Sequence, residues 1–256
     1  MKTYKQITEI AYNFLLAQEI STIPVDVFQI CKDLELKVLP LSELKRNFAD
    51  KQVFDMWNNK DGALTWYVDE KQNFDFCIGY NDLKPDARIR FTIAEELSHY
   101  ILKHFLVKEL DKETYYNFEI EARLCAATIL IPTPVYCAMA YWGDTQMQHF
   151  FDVSQDCAIA RKDSIAKNLY DFTQTKLYTE VENQFNDVIC SINQGNIPEC
   201  SKKYYLKQRL SRNENFQLVK QTYNKHAWKD SYLEFNIARA LVDAISDIEE
   251  DYSKNK

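Results

Sequence analysis

Arg90-Phe91-Thr92-Ile93-Ala94-Glu95-Glu96-Leu97-Ser98-His99 is the stretch on which the reading of this chain turns. Ile89, Ile93, Leu97 and Ile101 recur every four residues behind the start signals Pro85 and Asp86, which predicts a helix. Its other side carries Phe91, Glu95, His99 and Leu102. A helix apolar on two faces is buried, so its polar residues need partners. Positions four apart on a helix differ by about 40° in azimuth, so Glu95 and His99 project together. Glu96 stands about 100° from Glu95 and about 60° from His99. The pattern is one residue away from His-Glu-x-x-His, in which two imidazoles one turn apart hold a zinc ion and the Glu serves as general base. Glu95 stands in the first imidazole's place.

A catalytic zinc keeps three protein ligands and one open position. Glu121 is the expected third ligand, on a second predicted helix spanning Tyr115–Ile131 whose Ala122, Ala126 and Ala127 permit close packing; Glu119 is the alternative. One imidazole with two carboxylates is a harder donor set than the usual one, so it would hold zinc less tightly and accept manganese or iron(II) more readily. The spacing Glu96-x-x-His99 also occurs in di-iron bundles, but the second copy they require is not found. His104 lies five residues past His99, about 140° away on a continued helix, and offers no local replacement. The alternative without metal makes His99 a hydrogen-bonded core histidine and Glu95 a partner for Arg88 or Arg90.

Around this centre the chain reads as mostly helical. Ile7, Ile10, Ala11, Phe14 and Leu15 mark an amphipathic helix over 3–18, and Pro24 opens a second through Val27, Ile30 and Leu34. Lys37–Pro40 is β-rich, residues 41–61 are polar and weakly patterned, and Leu64–Val68 with Phe74–Gly79 read as a hairpin. Residues 144–170 suggest two short helices about Asp152-Val153-Ser154, with Arg161, Lys162 and Lys167 on the second. That rhythm resembles a helix-turn-helix, although three basic residues make a thin case for direct DNA binding. From about 171 the pattern becomes charged and helical, clearest at Trp228–Ile248, whose apolar face must be covered by the core or by a second copy of the chain. The expected division is therefore 1–170 and 171–256.

A net charge of -7 and a pI of about 5.3 speak against a general nucleic-acid or membrane surface. Four Gly and six Pro in 256 residues favour helices over a loop-rich β fold. Seven scattered cysteines with no Cys-x-x-Cys suit buried thiols in a reducing cytoplasm.

Four separated blocks carry a resemblance: ISTIPVDVFQICKDLELKVLPL, RFTIAEELSHYILKH, EIEARLCAATILIP and FFDVSQDCAIARKDSI. In order and separation they resemble the ImmA/IrrE metallopeptidases, whose members typically show RFTLAHELGH, then Glu-Ala-Asn-x-Phe-Ala-Ala, then Phe-x-Val-Ser with a later Arg. The resemblance covers about residues 5–168. It implies an α+β, zincin-like core with a short antiparallel sheet over the active-site helix, and a helical C-terminal part. It also implies Glu96 as catalytic base, His99 as a zinc ligand and Glu121 as the third. Glu95 departs from the pattern at a ligand, and Arg123 stands where members usually have Asn. The implied activity is site-specific cleavage of a helix-turn-helix repressor, of the kind encoded on prophages and mobile elements. The alternative is a pseudo-peptidase that binds a repressor or antitoxin without cutting it.

Overall fold

A computed structural model describes residues 1–41, 43, 61–68, 74–107, 111–139, 144–172 and 175–195. The polar run 44–60 and the helix expected over 228–248 lie outside the described residues.

Helix α1, Tyr4–Ala17, starts at a capping box: Gln6 N donates to Thr3 Oγ1 at 3.3 Å, and Thr3 N donates to Gln6 Oε1 at 2.9 Å. Its Ile7, Ala11, Tyr12 and Leu15 are buried at the spacing anticipated. Helix α2, Val27–Asp33, is capped by Asp26, which accepts from Gln29 N at 3.0 Å. Strands β1 (Lys37–Pro40), β2 (Gly62–Val68) and β3 (Phe74–Tyr80) form a sheet in the order β1-β3-β2. The β2–β3 pair is the antiparallel hairpin anticipated, but β1 pairs parallel with β3, so the sheet is mixed rather than purely antiparallel. β3 takes the middle because it carries the buried pair Cys77 and Ile78, whereas β1 is half-buried throughout. The fold is α+β, with helices greatly outnumbering strands among the described residues.

Helix α3, Asp86–Ile101, packs against both hairpin strands and against helix α4, Lys112–Leu130. α4 begins at Asp111, whose carboxylate accepts from Thr114 N at 2.7 Å. At Gly62, β2 passes close against α3. A Cβ there would lie 2.3 Å from Thr92 Cγ2 and 2.8 Å from the carbonyl oxygen of Gly79, so only glycine fits.

After Pro132 come α5 (Thr133–Ala138), α6 (Asp144–Phe151) and α7 (Gln155–Phe172), with Asp152 at φ 51° in the turn between the last two. α8 (Lys176–Gln184) and α9 (Asn186–Asn193) follow. Their buried Tyr178, Val181, Phe185, Val188 and Ile192 join the same core, and Gln184 Nε2 donates to Leu15 O at 2.8 Å and Ile20 O at 2.6 Å. Cys31, Cys77, Cys125 and Cys157 are buried, free thiols.

Two arginines are enclosed in this core. Arg90, 1% exposed, donates to Phe151 O at 3.0 Å, Val25 O at 2.8 Å and the Asp152 carbonyl, and pairs with Asp152 Oδ2 at 3.2 Å. It ties α3 to the loop before α2 and to the α6–α7 turn. Arg161, 1% exposed, donates to Ile131 O, Tyr4 Oη and Thr133 Oγ1. The sequence made it one of three basic residues on a helix-turn-helix face; it is a core connector, leaving Lys162 and Lys167 as the exposed pair. Replacing Arg90 by Met leaves the Asp152 carboxylate without its ion-pair partner and three carbonyls without their donor. Such losses at a buried ion pair cost about 3–5 kcal/mol, so the urea midpoint of Arg90→Met should fall sharply; an unchanged midpoint would show that α3 is held without it.

Candidate functional site

The site lies where α3 faces α4. Glu95 and His99 occupy one side of α3, and Glu119, Glu121 and Arg123 come from α4. Between the helices, α3 ends at Ile101 and Lys103 takes a left-handed conformation, φ 60° and ψ 35°, that reverses the chain into a 3-10 turn, His104–Leu106. That turn overrides the azimuth expected for a continued helix. It folds His104 back on the site, with Nδ1 2.9 Å from His99 Nδ1 and the ring stacked on Phe118 at 4.0 Å between centroids.

Each sequence-predicted residue has a definite partner. Glu96 Oε2 accepts from the backbone amide of Leu64 on β2 at 2.7 Å, which anchors the expected base to the sheet. Glu95 Oε1 accepts from Arg123 Nε at 2.8 Å. The alternatives foreseen for Glu95 were Arg88 and Arg90; instead Arg88 pairs with Asp61, and Arg90 is buried at Asp152. His99 Nε2 lies 3.6 Å from Glu119 Oε1, and Arg123 Nη2 lies 3.5 Å from Glu119 Oε2. Glu95, His99 and Glu119 are thus brought together, with a guanidinium between the two carboxylates.

Glu121 is turned elsewhere. Its carboxylate, 1% exposed, accepts from the backbone amide of Lys2, from Lys2 Nζ at 2.8 Å, and faces His104 Nε2 at 3.2 Å. It is linked to His99 through His104. Three participants were not identified from the sequence: Lys2, more than a hundred residues away; His104, which a straight helix points elsewhere; and Arg123 as a partner of Glu95. The swap of Asn for Arg at 123 was the one available clue.

The electrostatics follow from burial. Burial pushes the Glu95 carboxyl up, and Arg123 only partly offsets it. The Glu95 bond holds the Arg123 guanidinium above its ordinary value. Both rise, from different causes: the Glu95 side chain is 16% exposed and that of Arg123 59%, so burial governs the first and pairing the second. Burial also raises Glu121, but the hydrogen bonds from Lys2 and His104 outweigh it and leave that carboxyl below its usual value. His104 is pushed down to about 4 by burial and by neighbouring His99.

The zinc implied by the motif can be tested against this donor set. Glu95 is bound by a guanidinium, Glu121 by an ammonium, and among the described residues no group of three or more His, Cys, Asp or Glu side chains is placed to hold a metal ion. As arranged, the residues do not fit a three-ligand zinc centre.

With an ordinary value of 6.5 and about 4 in the folded protein, His104 gives a definite pH dependence. The unfolded chain takes up a proton below 6.5 that the folded protein refuses, so the stability this group contributes is complete above that pH and is lost as pH falls toward about 4. Urea midpoints at neutral and mildly acidic pH should diverge less in His104→Gln than in the wild type. Equal divergence would assign the slope to other groups.

Residues 57–161 match the family model described as the IrrE N-terminal-like domain. A comparison with curated proteins finds no match. No helix among the described residues is long and apolar enough to cross a membrane.

Proposed function

We propose, on the premise that residues 57–161 make this chain an ImmA/IrrE-type, metallopeptidase-like regulatory protein, that it captures a helix-turn-helix repressor or similar regulator without metal-dependent cleavage. One observation carries this reading. Arg123 Nε sits 2.8 Å from Glu95 Oε1, so the carboxylate at the first ligand position already holds a cation. A guanidinium supplies charge and directed N–H donors, but it has no open coordination position and lowers the pKa of no bound water. The chain would then keep the architecture of a peptidase cleft, a strand edge beside a buried helix, for recognition. An extended partner segment would add to the outer edge of β2 by backbone pairing at positions other than Leu64, whose amide Glu96 holds, with side-chain contacts giving selectivity.

A second reading, a regulatory endopeptidase using zinc, manganese or iron(II), draws support from Glu96 and His99. Glu96 keeps its place three residues before His99 and is anchored to the sheet through Leu64 N, as an oriented general base would be. It requires Arg123 to leave Glu95.

The two separate in one experiment. The 256-residue chain is mixed with a purified helix-turn-helix repressor, with each of the three metals in turn. Our reading expects a complex on size exclusion with the regulator's mass intact, unchanged in Glu96→Gln. Metal-dependent fragments that disappear in Glu96→Gln would establish the endopeptidase instead.

A further inference from the structure

We propose that two cations of the chain itself, Arg123 on Glu95 and Lys2 on Glu121, stand in place of the single divalent ion, making the site a metal-independent clamp between helix α3, helix α4 and the residue preceding the α1 cap. The inference rests on the non-cleaving reading above and adds what holds the site together.

Its basis is the charge accounting at two positions. Glu95 and Glu121 are the two carboxylates expected as metal ligands, and each is paired with a monocation, Arg123 Nε at 2.8 Å and Lys2 Nζ at 2.8 Å. A carboxylate as buried as Glu121, at 1% exposure, is strongly disfavoured without compensation. Lys2 answers it twice, with its backbone amide and its ammonium, and His104 adds a third contact at 3.2 Å. Arg123 does more than pair with Glu95. Nη2 also reaches Glu119 at 3.5 Å, so one guanidinium serves two acidic side chains from facing helices. A planar fork suits that task better than a point charge. The two monocations together carry the charge of one divalent ion, and both carboxylates remain compensated.

The consequence is that the need for a divalent ion should return when the chain's own cations are removed. Thermal unfolding of the full-length protein is followed with zinc chloride, with manganese chloride and with EDTA, for the wild type, Arg123→Gln, Lys2→Gln, the double variant, and the charge-keeping Arg123→Lys and Lys2→Arg. We expect no metal-dependent change in Tm for the wild type and for the charge-keeping variants. The neutralised variants should melt lower in EDTA and regain roughly 2–4 °C or more on adding metal. Adding Glu95→Gln to Arg123→Gln should abolish that gain, which separates the site from adventitious binding at cysteines. If the double variant does not fold in EDTA, the two single variants decide.

A wild-type protein that gains as much from metal as the neutralised variants would overturn the proposal. So would neutralised variants that melt like the wild type and ignore metal. Failure to capture a regulator would count against the proposed function alone, because these melting shifts are read with no partner present.

Discussion

Carboxylates drawn into a helix–helix interface must be compensated, and this requirement organises the site. α3 and α4 bring Glu95 and Glu119 together beside His99 and bury Glu121 behind His104, and such carboxylates are costly to bury without compensation. A bound dication is one way to meet the need. Here the described contacts meet it with Arg123 and Lys2. The N-terminal residues, the turn after α3 and the exposed side of α4 thereby become parts of one electrostatic unit, although none is near another in sequence.

The same logic recurs deeper in the core with arginine in the opposite role. Arg90 and Arg161 are buried cations that find most of their partners among backbone carbonyls and hydroxyls, at positions where the chain turns and its own hydrogen bonding is incomplete. Arg90 satisfies carbonyls at the α6–α7 turn and before α2; Arg161 does so where α4 gives way to α5. Each ties separate segments of the core together, and so helps set how α3 and α4 meet.

Glu96 shows how sheet and site are coupled. Its carboxylate accepts from Leu64 N on β2, and two residues earlier Gly62 permits the close approach of that strand to α3. A side chain at 62 would push β2 away and take Leu64 N with it. The orientation of Glu96 therefore depends on a glycine thirty-four residues before it as well as on its own helix.

Much of this was legible in the sequence, for local physical reasons. Four-residue apolar spacing behind Pro85 and Asp86 marked α3, amphipathic spacing marked α1, Pro24 marked the approach to α2, and two β-rich runs marked the β2–β3 hairpin, since each of these signals depends on residues near one another in the chain. The pairing of Glu95 with His99 on one face followed from helical geometry alone. The parallel register of β1 was not legible, because either side of a central strand is open to it until the core is assembled. Nor were His104, Arg123 or Lys2 as participants. His104 depends on a left-handed residue at Lys103 that stops the helix, Arg123 on the facing of two helices, and Lys2 on the packing of α1 against α4. Sequence determined which side chains each helix would offer to the interface, because that is fixed by periodicity; only tertiary structure decided which cation would reach each carboxylate, because charge compensation acts through space and not along the chain.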